Sequence, residues 1–321
     1  MRILFIGTGF YQYDQYILSE LQKYGDVCYI NSKKSESNHS LLFSLFDRIK
    51  CHRSFRVLAS REIQKELESF GNTSFDLVFV IKGEYLSEDN MSFVKRNSPK
   101  AKYILYLWDA WSRHDNRDVL LKYFSDIYSF DVRDCKNYGF KLRPLFYINK
   151  IEQLKKERAT FNISFVGGNH SGRLDYLKAI KQICKESELT YCFKLLIGRF
   201  DSFKLRLLIK NNNVEDVVTS EFVPYKDYLN ILDKSISVID IPNPLQSGLT
   251  IRTIEALSRG VKVVTTNSFI KDYDHIPKTL ILVVDEKNIN REQFVRFVSE
   301  SSNERLDEYY SLEHFIKEFV S

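Results

Sequence analysis

The sequence predicts an α/β protein made of two doubly wound, parallel-sheet domains. Three observations carry that expectation. Short apolar runs alternate with segments of helical spacing, the pattern of strands joined by crossover helices. The runs are continuous rather than alternating, as in "LVFVI" (77–81), which suits strands covered on both faces. The series also restarts: an apolar strand ending in glycine stands at the N-terminus, and another follows residue 160.

Taken in order, "RILFIG" (2–7) reads as a first strand and "YDQYILSELQKYG" (13–25) as a helix. The strands "DVCYIN" (26–31), "DLVFVIKG" (76–83), "AKYILYLWD" (101–109) and "DIYSFD" (126–131) follow, each after a helical or polar segment. Residues 141–161 change character, with a proline and then a charged run. The second series begins with the strand "NISFVGG" (162–168), the helix 173–187 and the strand "YCFKLLIG" (191–198). It continues with "FKLRLLIKN" as helix, "VVTSEFV" as strand, "YKDYLNILDKS" as helix and "SISVIDI" as strand. Another helix, the strands "KVVTT" and "LILVVD", and a helical tail from residue 291 complete it. Two domains are therefore expected, residues 1–150 and 151–321, with the C-terminal helix packing back on the first. Two such domains make the crevice at their strand ends the default ligand site.

Composition narrows the function. The 321 residues carry a net charge of +5, compatible with an anionic substrate or an anionic membrane surface and too weak to argue for nucleic acid. The five cysteines form no CxxC pair, which fits a reduced, cytoplasmic protein. The N-terminus reads as a strand rather than a signal peptide, and no apolar run is long enough to span a bilayer. The six histidines are scattered without ligand spacing, so no metal is expected.

The stretch "NPLQSGLTIRTIEALSRGVKVVTTN" (243–267) is the most informative. With Ser247 as N-cap, Gly248, Arg252 and Glu255 fall within about 60° of one another on a helix. Ile251, Ile254 and Leu257 form a separate apolar face. The first presents bare backbone, a cation and a carboxylate near a helix N-terminus. That suits a diphosphate at the N–H groups, a guanidinium on its oxygens and a ribose hydroxyl on Glu255. The same residues also fit a plain crossover helix with an i,i+3 surface pair.

This stretch resembles the C-terminal domain of GT-B glycosyltransferases, in particular group-1-like, CgeB-like bacterial enzymes of polysaccharide and lipopolysaccharide assembly. "YLWDAW" (106–111), residues 128–147 and "ISFVGGNHSGRLDYL" (163–177) are similar to the same group. The resemblance implies a transferase that takes a sugar from a nucleotide-sugar to a saccharide or lipid-linked acceptor, without a cofactor. It implies that Gly248, Leu249 and Thr250 face the diphosphate, that Arg252 neutralises it and that Glu255 holds the ribose. Gln246 and Ser247 precede this turn. Gly167, Gly168 and Asn169 would lie under the donor, with Gly198 and Arg199 on the same rim, and Val223 and Tyr225 would line the nucleobase. Many retaining members carry a glutamate eight positions before the one matching Glu255; here that position is Ser247, which tilts the expectation toward inversion.

An inverting transfer needs a base. Asp109, at a strand end between Trp108 and Trp111, is the first candidate, with the indoles offering stacking faces for a sugar or simply core. His114, Asp14 and Glu84 are alternatives, and His170 could touch phosphate. Gly7 and Gly9 are not a dinucleotide fingerprint, because Gln12 stands where its third glycine would be. They suit a tight turn that leaves room for acceptor. Residues 41–61 combine Leu and Phe with five basic residues, a helix that could rest peripherally on a membrane or present a solvated face. A nucleotide-sugar epimerase or hydrolase, and a non-catalytic binding subunit, are the rival readings.

Overall fold

The computed structural model describes residues 1–9, 12–38, 52–148, 159–170, 172–197, 214–243, 245–285 and 288–321. The chain forms two compact units, Met1–Pro144 with Leu312–Ser321, and Leu145–Ser311.

In the first unit, β1 (Arg2–Gly7), α1 (Tyr13–Leu21), β2 (Asp26–Asn31), α2 (Lys34–Asn38) and α3 (His52–Ser69) come first. Then follow β3 (Leu77–Ile81), α4 (Glu88–Asn97), β4 (Lys102–Leu107), α5 (Arg117–Tyr123), β5 (Asp126–Ser129), α6 (Val132–Tyr138) and β6 (Lys141–Leu142). The strands form one sheet in the order β2-β1-β3-β4-β5-β6, and every pairing is parallel. All five residues of β3 are buried, which is why that run shows no polar alternation.

The second unit holds β7 (Phe161–Gly168), α7 (Arg173–Glu186), β8 (Tyr191–Leu196), β9 (Val218–Thr219), α8 (Tyr225–Asp233), β10 (Ser235–Asp240) and α9 (Ile251–Ser258). It ends with β11 (Lys262–Thr265), β12 (Ile281–Val283) and α10 (Arg291–Ser299); α11 (Leu312–Val320) then belongs to the first unit. The sheet order is β12-β11-β10-β7-β8-β9, again parallel throughout. Both sheets are doubly wound. Their order reverses between β1 and β3 in the first unit and between β7 and β10 in the second, and those switch points are where ligands gather.

α11 is held by aromatic packing. Phe319 lies 5.0 Å, ring to ring, from Phe79 and 4.9 Å from Tyr128, and Phe315 lies 4.8 Å from Tyr106. Arg143, fully buried, places its Nε 2.9 Å from Glu318.

Three details differ from the sequence reading. The strand expected at "VVTSEFV" is only β9, because it pairs solely with β8 at the edge of the sheet. "DIYSFD" stops at Ser129, since Asp131 turns to cap α6 by accepting from the Arg133 and Asp134 N–H groups. The helix expected from Ser247 begins at Ile251, with Thr250 as its N-cap. The helix expected at "FKLRLLIKN" lies outside the described residues. So do residues 41–51 of the basic segment; its remainder starts α3, where Phe55 and Ala59 are buried and Arg56 pairs with Asp115. Among the described residues no helix is long and apolar enough to cross a membrane.

Candidate functional site

In the second unit the neighbouring strands β7 and β10 end in Gly168 and Asp240. Asp240 is 1% exposed and accepts from Thr250 Oγ1 at 2.8 Å and from an Arg252 guanidinium nitrogen at 3.1 Å. Thr250 thereby does two things: its hydroxyl proton goes to Asp240, while its oxygen accepts from the Thr253 N–H at 3.2 Å and caps α9.

Two guanidinium groups lie against the Phe165 ring, Arg252 at 5.3 Å and Arg173 at 5.6 Å from its centroid. Arg173 Nε donates to the Ile241 carbonyl at 3.0 Å, its NH2 to the same oxygen, and NH1 to the Gly168 carbonyl at 2.9 Å. This ties the end of β7 to the end of β10. Burial, then the neighbouring Arg252, pulls Arg173 down to about 10, and Asp240 opposes the shift. It remains a cation at neutral pH. Burial and then the two arginines push His170 below its usual value, so that imidazole is neutral there. Arg252 Nε is buried and finds no acceptor among the described residues. Two cations thus stand beside one carboxylate, an excess of positive charge at the switch point.

The glycines follow from this packing. A β-carbon on Gly167 would sit 2.7 Å from Arg252 NH2, so the guanidinium occupies the space a side chain would need. One on Gly168 would meet nothing within 4 Å among the described residues. Asn169 is exposed, and its N–H is taken by the Leu196 carbonyl. Ser247, Gly248 and Leu249 are buried ahead of the helix, and Asn267 Nδ2 donates to the Ser247 carbonyl at 3.0 Å. Gly248 therefore lies outside the first turn, and the Leu249 side chain serves the core. Glu255 is buried and accepts from the Tyr225 hydroxyl at 2.5 Å. The Tyr228 ring lies 6.1 Å from that of Tyr225, and burial and then Glu255 hold its phenol protonated. Gln246 and Val223 are half-buried nearby in sequence. Gly198 and Arg199 lie outside the described residues.

The first unit carries a second polar cluster, around the ends of β2, β3 and β4. Asp109 pairs with Lys82 Nζ and, at 3.3 Å, with Arg113. Glu84 lies 3.1 Å from Lys33, which also reaches Glu36 at 3.2 Å. Burial pushes the Glu84 carboxyl up, but Lys82 and Lys33 together outweigh it and hold it below the usual range. Trp108 is half-buried, edge-on to Tyr13 at 5.7 Å.

Several expectations change here. The side-chain space of Gly7 and Gly9 is taken by Asp14 and Asn31. A β-carbon on Gly7 would sit 2.0 Å from Asp14 Oδ2, and one on Gly9 2.4 Å from Asn31 Nδ2. Asp14 fills that space and accepts from the Gly9 N–H and the Tyr29 hydroxyl, both at 2.8 Å. Burial raises its pKa against those hydrogen bonds. It is the anchor of the turn. Trp111 is 2% exposed and packs on Phe140 at 5.2 Å, so it offers no stacking face. His114 is fully buried beneath it, and neither ring nitrogen has a hydrogen-bond partner among the described residues. Burial pulls it down to about 4, against Glu84 and Asp109. It is a neutral core histidine rather than a poised base.

The sequence reading missed Asp240, Arg173 and Lys82. Asp240 carried a usable signal, because it ends "SISVID" as Asp109 ends "YILYLWD". Arg173 and Lys82 carried none: the first ties to Ile241 and the second to Asp109, partners distant in the chain.

No protein-family model and no curated protein matches this chain. Solved structures do. It is similar to the apo form of OtsA, at 11% identity over 100% of this chain and 98% of that one, with a TM-score of 0.62. It is similar to a UDP-GlcNAc 2-epimerase from Neisseria meningitidis bound to UDP-GlcNAc, at 12% identity over 100% and 99%, with a TM-score of 0.54. A lipopolysaccharide outer core galactosyltransferase, WaaB, matches at 14% identity over 99% and 95%, with a TM-score of 0.51. These likenesses show the fold. It is GT-B, with its two parallel, doubly wound sheets, and the structures that share it include a sugar transferase and a nucleotide-sugar epimerase.

Proposed function

We propose that the chain is a glycosyltransferase that draws on a nucleotide-sugar held by the second unit. The observation that carries this reading is the excess positive charge of Arg173 and Arg252 beside Asp240, at the switch point of β7 and β10. A diphosphate is the anion best suited to it. Arg252 takes the phosphate oxygens with the edge of its guanidinium not engaged by Asp240. Glu255, already oriented by Tyr225, takes a ribose hydroxyl, and Tyr225 and Val223 flank the base.

The acceptor, a saccharide free or lipid-linked in surface-polysaccharide assembly, is assigned to the first unit. Asp109 takes the proton of its attacking hydroxyl. The new bond forms from that oxygen to the anomeric carbon. The bond from that carbon to the diphosphate oxygen breaks, and its electron pair leaves with the nucleoside diphosphate. The two arginines stabilise the charge that develops there. Ser247 is buried and brings no carboxylate to the donor loop, which supports inversion. The site of action in this reading is the cytoplasm, with the basic segment 41–61 giving peripheral contact with the inner membrane face.

A thermal-shift panel of UDP, GDP, dTDP and ADP plus CMP tests the donor class through ligand-linked stabilisation. The nucleotide that stabilises wild type should bind Arg252→Ala at least tenfold more weakly by calorimetry. Unchanged affinity would remove the donor assignment. The likeness to the epimerase supports a second reading, nucleotide-sugar epimerisation or hydrolysis. Release of nucleotide at full rate without any acceptor would favour that reading.

A further inference from the structure

We propose that Lys82 is a positioning residue of the acceptor-side cluster, kept in a left-handed turn so that its ammonium group holds the Asp109 carboxylate. The inference rests on the reading of Asp109 as the base.

Lys82 follows β3 immediately and has φ +64°, a region that a β-carbon disfavours. Gly83 follows at φ +70°. The turn is closed without the Lys82 side chain: the Lys82 N–H donates to Tyr106 O at 2.9 Å, the Gly83 N–H to Ile81 O at 2.8 Å, and Asn116 Nδ2 to Gly83 O at 2.8 Å. Nothing in that hydrogen bonding asks for lysine, and a second glycine would suit the conformation better. Lysine stands there all the same, and its side chain, 15% exposed, ends on Asp109. Non-glycine residues in this region gather at functional sites, where the surroundings over-determine them.

Four other charged or titratable groups described near Asp109 do not replace it. Arg113 also reaches the carboxylate, but it is 56% exposed, and exposed pairs contribute little. His114 is neutral and buried. Glu84 carries the same sign as Asp109, and Lys33 is committed to Glu84 and Glu36. Lys82 is an enclosed cation that faces Asp109 directly.

The test reads the carboxylate in the ligand-free, full-length protein. A 13C-aspartate NMR titration, with the Asp109 signal assigned through Asp109→Asn, is compared in wild type, Lys82→Met, Lys82→Arg and Arg113→Ala. The Asp109 midpoint should rise by about one pH unit or more in Lys82→Met. It should return to within about 0.3 units of wild type in Lys82→Arg and stay there in Arg113→Ala. The proposal is overturned if Lys82→Met leaves the midpoint in place, or if Lys82→Arg shifts it as far as Lys82→Met. A role in folding alone would lower the melting temperature of both Lys82 variants alike and leave the midpoint unmoved. The base assignment fails separately: Asp109→Asn would then keep full turnover of the nucleotide-sugar whose nucleotide the thermal-shift panel selects, whatever the midpoint does.

Discussion

At the scale of single residues, the arginine cluster of the second unit depends on what is absent. Gly167 leaves a gap that the Arg252 guanidinium fills, and Gly168 leaves one that none of the described residues fills. The two glycines should therefore respond differently. Gly167→Ala places a methyl 2.7 Å from Arg252 NH2 and 3.1 Å from the Phe165 ring, so the arginine must move. We expect a loss of about tenfold in nucleoside diphosphate affinity by calorimetry, about 1.4 kcal/mol, against little change for Gly168→Ala. Equal effects would mean that Arg252 does not set the affinity. His114 makes a different kind of prediction. The unfolded chain takes up its proton near pH 6.5, but the folded protein resists it down to about 4. Between those values the unfolded state binds more protons, so stability falls as pH is lowered through that window. The loss approaches about 3 kcal/mol at its lower end. His114→Leu has no proton to gain. Urea unfolding of the two proteins from pH 7 to 4.5 should show wild type losing stability relative to the variant, and parallel curves would contradict the buried neutral histidine.

Elements show how local chemistry places these residues. α9 starts where it does because Thr250 caps it, and the same hydroxyl ties the helix to the end of β10. The first turn of α9 is thus anchored at the switch point, with Arg252 in that turn and Glu255 one turn further on. Ser247, which also has a capping side chain, lies buried in the approach to the helix instead. α11 is a second case. It is encoded at the end of the chain, after the second series, yet Phe315 and Phe319 complete the aromatic cluster of the first sheet. Phe319→Ala should destabilise the first unit by about 3–5 kcal/mol, read by denaturant unfolding with fluorescence of Trp108 and Trp111, both of which lie in that unit. A change under about 1 kcal/mol would show that α11 is dispensable to that sheet.

Over the whole molecule, each unit has its own apolar core and its own switch point, and the two differ in charge. In the second unit the cluster is positive, with Arg173 and Arg252 beside Asp240. In the first, Lys33, Lys82 and Arg113 face Glu36, Glu84 and Asp109, a balanced set. In the proposed reading an anionic donor is drawn to the former, and an uncharged hydroxyl is handled without penalty at the latter. Hydrogen exchange with a saturating nucleoside diphosphate should slow amides at the ends of β7 and β10 and in the first turn of α9. Those after β3 and β4 should exchange as before. Protection confined to the first unit would reverse the assignment of donor and acceptor.

The alternation of apolar runs with helical segments determined by itself that the chain builds two doubly wound parallel sheets, because buried parallel strands leave a continuous apolar imprint. Local spacing also placed Arg252 and Glu255 one turn apart on one helix, and marked Asp109 as a strand-end carboxylate. Periodicity says nothing about which strand ends are neighbours. Only the tertiary structure brought the Arg252 guanidinium against Gly167, Arg173 across to Ile241, and Lys82 onto Asp109, since strand order is decided by long-range packing. It also decided which polar residues are reachable. Asp14, His114 and Trp111 read from the sequence as site residues, and each is taken up by burial: one anchors a glycine turn, and the other two fill the core.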